Sequence, residues 1–266
     1  DVRIFTTFAG LTAFTQANVD TETFAIFGDF TYDLTDQFSL SVGGRYTWDE
    51  RSAEILRQNY LGGGSPEFGG AGVPFGAAST DFNGSREFKK FTPRASLSFM
   101  PTPDHNIYAS YSKGFKGGGF DPRGVGTNAP AATPGAPTDA EVAAFLSVAP
   151  EEVDSYEIGY KGNIGILNIA AAAFYADYTD VQIPGSVACE VGGLPSFCGV
   201  VSNAGKATFK GVELEANARF GGGFGLAGSL GYIDAQYDEY ITNIGNTPTD
   251  VAAFRVVQNT PELTGS

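Results

Sequence analysis

The chain has 266 residues with 36 Gly, 22 Phe and 12 Tyr, one residue each of Met, Trp and His, and 30 acidic against 16 basic side chains for a net charge of −14. That acidic balance argues against a nucleic-acid groove, which needs clustered Lys and Arg, and a single histidine, His105, cannot supply a Ser-His-Asp triad or a histidine-rich zinc site. Mean hydropathy is close to zero, and the longest uncharged apolar run, Ala170 to Ala176, falls far short of the roughly 18 residues of a spanning helix, which still leaves membrane strands open because their alternation averages to neutral.

In chain order, Asp1 to Gly10 carries neither a basic n-region nor a signal-peptide core. Any export signal is expected to have been removed or to lie upstream, and the chain is expected to start mid-protein. Phe24, Ile26, Gly28, Phe30 and Tyr32 then alternate with Thr23, Ala25, Asp29 and Thr31, the period of a strand. After a turn at Asp33 to Gln37, Phe38, Leu40, Val42, Tyr46 and Trp48 alternate with Ser39, Ser41, Gly43, Arg45, Thr47 and Asp49.

The same strand-turn-strand unit is expected three more times. Phe88 to Met100 turns at Pro101 to His105 into Asn106 to Lys116, and Val153 to Lys161 turns at Gly162 to Gly165 into Ile166 to Asp180. Ala204 to Phe220 turns at Gly221 to Gly223 into Phe224 to Tyr240, with a ninth strand beginning near Phe254. The strand from Ile166 to Asp180 does not declare its faces.

Connections alternate between these tight turns and long segments at Arg51 to Glu87, Gly117 to Glu152, Val181 to Asn203 and Ile241 to Ala253. A soluble sandwich has no reason for that alternation. An outer-membrane barrel has one, because its periplasmic ends are short turns and its external ends carry loops. Within the second long segment, Thr138 and Glu141 form a capping box ahead of Ala143, Ala144 and Phe145, which predicts a short helix ended by Pro150.

Chemistry-bearing motifs are sparse. Gly223, Gly225 and Gly228 spell G-x-G-x-x-G, but Phe224, Leu226, Leu230 and Tyr232 continue with strand period where a phosphate turn must open a helix. No catalytic residue, metal site or cofactor is expected. The loop residues Tyr60, Phe68, Phe75, Phe82, Phe115 and Phe120, with Arg123, either grip a bulky ligand or pack the loops together. Cys189 and Cys198 are close enough for a local disulfide, with two free thiols as the alternative.

Several short stretches resemble the β-barrel of TonB-dependent receptors: Phe24-Ala25-Ile26-Phe27-Gly28 with Leu40-Ser41-Val42-Gly43-Gly44-Arg45-Tyr46, and Tyr108-Ala109-Ser110-Tyr111-Ser112-Lys113-Gly114-Phe115. Glu152, Glu157, Gly159 and Lys161 in Glu-x-x-x-x-Glu-x-Gly-x-Lys, Asn203-Ala204-Gly205-Lys206-Ala207, and Gly211-Val212-Glu213-Leu214-Glu215 follow in order. Each is loose alone, but their order and spacing cover nearly the whole chain.

The resemblance implies an all-β, antiparallel transmembrane barrel, of which residues 1–266 would hold eight or nine of roughly 22 strands, without the plug domain and its TonB-engaging segment. Arg45, Glu157, Lys161, Glu213, Glu215 and Arg219 would face the lumen. The implied activity is energy-coupled uptake across the outer membrane of a Gram-negative bacterium, with TonB, membrane lipid and an iron chelate or other small nutrient as partners. Ferric siderophores are the expected cargo; saccharides, cobalamin or a passive porin are alternatives, and a soluble all-β binding module or a hydrolase ranks below them.

Overall fold

A computed structural model describes the backbone of residues 2–3, 11–191, 194–244 and 247–266, and the side chains of 11–186, 198–242, 244 and 247–266. Eight long strands dominate: β1 (Thr12–Asp33), β2 (Phe38–Leu61), β3 (Thr80–Thr102), β4 (His105–Lys116), β5 (Glu151–Ile164), β6 (Leu167–Val191), β7 (Leu194–Arg219) and β8 (Gly225–Ile244). A three-residue β9 (Leu263–Gly265) follows and returns to β8. Each strand pairs antiparallel with its neighbour in sequence, so the sheet is a meander. Among the described residues no helix is long and apolar enough to cross a membrane.

The four tight turns lie where the alternation breaks. In the first, Leu34 N donates to Phe38 O at 2.8 Å, Thr35 Oγ1 accepts from the Phe38 amide at 3.0 Å, and Met100 N donates to Gln37 O at 2.8 Å, tying the turn to β3. The last turn uses Gly222 and Gly223 at φ +79° and +86°, a left-handed backbone that glycine adopts freely. Gly225 then opens β8, a strand with no helix N-terminus to hold a phosphate.

Strand lengths and the ninth strand differ from the sequence expectation. Most of Arg51 to Glu87 is paired, since β2 runs to Leu61 and β3 starts at Thr80. The segments Val181 to Asn203 and Ile241 to Ala253 are likewise largely strand rather than loop. Ala252–Phe254 is a 3-10 turn, so β9 begins at Leu263 and not near Phe254. The reason is physical: a strand that wets both faces keeps its backbone ladder but loses the apolar alternation by which it was recognised.

Register sorts the side chains into two faces. Phe30, Val42, Ala95, Tyr111, Tyr156 and Tyr175 form one cross-strand row, and Ile107, Tyr160, Ala171, Leu214 and Leu230 another. Many large members of this face are open to solvent, including Phe24, Ile26, Phe30, Ile158, Val212 and Leu226. A contiguous exposed apolar face of this extent needs a nonaqueous neighbour. The pairing also resolves β6: Ile169, Ala171, Ala173 and Tyr175 join the apolar face, while Ala170, Ala172 and Phe174 join the polar one.

Adjacent glycines in β2 serve opposite faces. The Asp29–Arg94 ion pair spans β2 on the polar side, over Gly43, where a Cβ would collide with the Asp29 carboxylate. On the apolar side the Phe91 ring lies over Gly44, with ring carbons 2.8 Å from where a Cβ would stand.

The predicted helix forms at Asp139–Leu146. Thr138 Oγ1 accepts from Glu141 N at 3.4 Å, and Glu141 Oε2 accepts from Thr138 N at 2.7 Å. The hydrogen bond from the Thr138 amide, then that from Ala132, hold the Glu141 carboxyl below its ordinary value. A lowered folded-state pKa gives a contribution that is present above the usual carboxylate range and lost as pH falls through the lowered value. Thr138→Ala is expected to cost about 1 kcal/mol of local stability. Faster amide hydrogen exchange over residues 139–146, and weaker protection of the native helix under acid than at neutral pH, would register both effects.

Candidate functional site

The polar face carries all six residues expected to line the lumen. Arg45 pairs with Phe27 and Thr92 on that face, and its Nε donates to Thr47 Oγ1 at 3.1 Å. Lys161, Ala170 and Glu215 share one cross-strand row, and Gly159, Ala172 and Glu213 another. The small alanines of β6 leave a hollow between them. This concavity of about 440 Å³ is bounded by Tyr108, Glu157, Lys161, Glu213 and Glu215, with Thr264 of β9 on its far wall. Tyr108 donates to Glu157 Oε1 at 2.5 Å, and Lys161 Nζ stands 5.6 Å from the centre of the Tyr108 ring. Arg219 lies apart, opposite Gly225 at the β7–β8 turn.

The seven loop candidates do not converge on one pocket. Tyr60 and Phe68 pack edge-on against Phe14, with ring centroids at 6.4 and 5.7 Å. Phe68 keeps most of its surface free, 70% of it exposed, while Phe75 is half-buried beside the end of β2. Phe82 and Phe120 are buried together, centroids 5.1 Å apart, in a cluster with Ala53, Ile55 and Leu146. Phe115 is a half-buried residue of β4. Arg123 is exposed and pairs with Asp121 at 3.0 Å.

That buried cluster docks the long segment between β4 and β5 against the polar face of β2 and β3. Hydrogen bonds fix its base. Asp121, itself buried, accepts from Arg123 N at 3.0 Å and from Val201 N at 2.6 Å. Thr80 Oγ1 donates to Gly124 O at 3.1 Å and accepts from Gly126 N at 2.8 Å. Gln182 Nε2 donates to the carbonyls of Gly117 and Ala149, at 3.0 and 2.9 Å, and Asn203 Nδ2 donates to Ala149 O at 2.8 Å. Arg57 reaches the carbonyls of Arg123 and Gly124, and burial pushes its guanidinium pKa down.

Sequence reasoning missed Asp121, Thr80, Arg57 and Gln182 as anchors. Only Asn203 carried a signal, as the first residue of a family-like stretch. Cys198 is buried and disulfide-bonded. Cys189, the other cysteine of the chain, has a side chain outside the described residues.

The fold and its two-faced register agree with comparison to known proteins. The family described as TonB dependent receptor-like, beta-barrel matches residues 2–266. The chain belongs to that family. Its members are receptors and transporters, not enzymes.

The pesticin receptor of Yersinia enterocolitica serotype O:8 is 29% identical over 204 residues, covering 76% of this chain and 24% of the receptor. The Yersinia pestis pesticin receptor is 29% identical over 203 residues. The chain therefore spans about a quarter of the length of the curated relatives it matches. Among solved structures, the ferric yersiniabactin uptake receptor from Yersinia pestis aligns with a TM-score of 0.59 at 24% identity, covering 86% of this chain and 28% of that one. The closed form of the ferric-catecholate import receptor from Escherichia coli K12 aligns at 0.54 and 22%, covering 84% and 29%. At these identities the structural likeness shows the fold.

Docking of the long segment in this TonB-dependent barrel depends on its aromatic anchor. Phe120→Ala should cost about 3 kcal/mol of docking stability, the lower end for truncating a buried Phe. Limited proteolysis should then cut residues 117–150 faster while the strands stay resistant.

Proposed function

We propose that this chain supplies wall strands and external loops to an energy-coupled outer-membrane transporter for ferric siderophores in a Gram-negative bacterium. The carrying observation is the register, which sorts the side chains into one continuous apolar face and one polar face. Lipid is the neighbour that the exposed apolar face requires, since a spanning sheet meets acyl chains on its outside. Two proteins of similar fold, named for ferric yersiniabactin uptake and for ferric-catecholate import, favour this cargo class.

In this reading Arg45, Glu157, Lys161, Glu213, Glu215 and Arg219 line the lumen, where water and cargo can satisfy their charges. The docked segment between β4 and β5 narrows the external mouth over β2 and β3. Phe68, Phe75 and Arg123 retain surface to meet a ligand, Tyr60 and Phe115 support the rim, and Phe82 with Phe120 hold the docked segment. Energy coupling through TonB, and the plug that it acts on, belong to parts of the parent protein beyond residues 1–266.

Deletion of the parent gene should abolish growth on one or more ferric chelates supplied as sole iron source, and plasmid-borne copies should restore it. Undiminished use of every iron chelate, with a defect confined to cobalamin or an oligosaccharide, would move the cargo to that class.

The lipid assignment has a separate test. Ile158→Arg, near mid-strand on the apolar face, should cost about 2–4 kcal/mol and reduce the amount of heat-modifiable receptor in outer membranes. Glu213→Arg, on the polar face, should assemble normally.

A further inference from the structure

The ladder between β3 and β4 stops part-way along both strands. It runs from the pair Thr102 and His105 to the pair Arg94 and Ser112 and ends there. Beyond that row, among the described residues, 80–93 of β3 pair with β2 alone and 113–116 of β4 with β5 alone. Pro93 is the reason. Met100 N donates to Gln37 O on the β2 side, and backbone direction alternates along a strand, so Arg94 faces β2 while Pro93 faces β4 with no N–H to offer. The two strands therefore part as a fork, and because they are paired below it, no other strand of the barrel can stand between the arms. Hydrocarbon does not tolerate backbone groups without ladder partners, which puts the fork on the aqueous side of the membrane boundary. That placement rests on the barrel reading above. Lys113, Asp154 and Asp177 form the first cross-strand row beyond it, in keeping with a wet position.

Side chains close the gap that the backbone leaves. Glu152, at the start of β5, pairs with Lys90 of β3 and, at 2.7 Å, with Lys113 of β4. Lys113 also stands 3.6 Å from Asp154, which accepts from Tyr111 Oη at 2.6 Å. Lys90, Lys113 and Glu152 are all half-buried. Among the described residues, Lys90 with Glu152 is the one ion pair that crosses the fork. The docked segment straddles the same gap. It leaves β4 at Lys116 and enters β5 at Glu151, on one arm, while its seat of Ala53, Ile55 and Phe82, with Thr80 and Arg57, belongs to the other. Any motion between the arms pulls the roots of the segment away from its seat.

We propose that Glu152 is the latch of a hinge at this fork. With Lys90 held, the arm of β1 to β3 and the arm of β4 to β6 move as one sheet. With Lys90 released, the arms spread from the row of Arg94 and Ser112 outward and lift the docked segment from its seat. Spreading breaks no ladder hydrogen bond, because Pro93 has already ended the ladder there. Glu152 suits the part because it sits between cations of both arms: without its charge, Lys90 and Lys113 face each other as like charges.

The test is a distance measurement across the fork by double electron-electron resonance, on full-length receptor containing this chain in lipid nanodiscs. Spin labels at K89C on one arm and K116C on the other report the gap. The otherwise wild-type protein should give one narrow distance distribution. K90Q should shift it to longer distances and broaden it, and E152Q should shift it further. K113Q keeps the cross-fork pair and F120A loosens the seat alone, so both should stay near the wild-type distance. K90Q cuts the same ion pair from the other arm and decides the matter even where E152Q assembles poorly. An unchanged distance in K90Q and E152Q would overturn the latch. So would F120A opening the fork as far as E152Q, since the apolar seat would then be the closure. No ligand enters the measurement, so a failed latch leaves the transporter reading standing, and failure of that reading leaves the latch.

Discussion

Backbone hydrogen bonding sets the terms for everything else in this chain. A strand crossing hydrocarbon has no water for its N–H and C=O groups, so each must bond across to the next strand. That ladder fixes register, and register fixes faces, because a slip of one residue exchanges the faces completely. The unbroken pairing of Thr12 through Asp33 with Tyr60 through Ser39 is therefore also a statement about side chains. It decides that Phe24, Ile26 and Phe30 share a side with Trp48, Tyr46 and Val42, and that Asp29 reaches across β2 to Arg94.

The same ladder continues beyond the apolar band, where its consequences differ. Residues 51–61 and 80–87 are still paired, but both faces are polar, so alternation separates charges instead of separating oil from water. A hydrophobic seat survives there where the segment between β4 and β5 covers it, at Ala53, Ile55, Phe82, Phe120 and Leu146. This small core explains why the segment is ordered against the sheet: a few buried apolar contacts, joined by Asp121, Thr80, Gln182 and Asn203, offset the entropy of fixing a long connection.

The architecture was legible where one solvent on each side imposed a period of two. Phe38 to Trp48 announced β2, the Gly221 to Gly223 run announced a turn, and Thr138 with Glu141 announced the helix. Recognition failed where the two environments became alike. Nothing in the alternation of Arg51-Ser52-Ala53-Glu54 shows that the strand continues, and Ala170 to Ala173 gives the same small side chain to both faces until pairing with Tyr160 and Leu214 resolves it. The loop aromatics were ambiguous for another reason. Burial of Phe82 and exposure of Phe68 depend on contacts from distant parts of the chain, and local composition holds no trace of those.

Net charge is a poor guide to what a barrel of this kind attracts. Summed over the chain, 30 acids against 16 bases suggest repulsion of anions. A cargo inside the lumen, however, meets only the residues whose register turns them inward, and interaction through water is screened within roughly 8–10 Å. On β2 and β3 that selection reverses the sign, since Glu50, Glu54, Asp81 and Glu87 point away from the face that carries Arg45, Arg86 and Lys90. Elsewhere it does not: Glu157, Glu213 and Glu215 share the polar face of β5 and β7 with Lys161. The polar face of the sheet is thus electrically divided, basic under the docked segment and acidic around the concavity of β4 to β8. Register, which the backbone ladder imposes for its own reasons, is what converts one acidic sequence into two surfaces of opposite character.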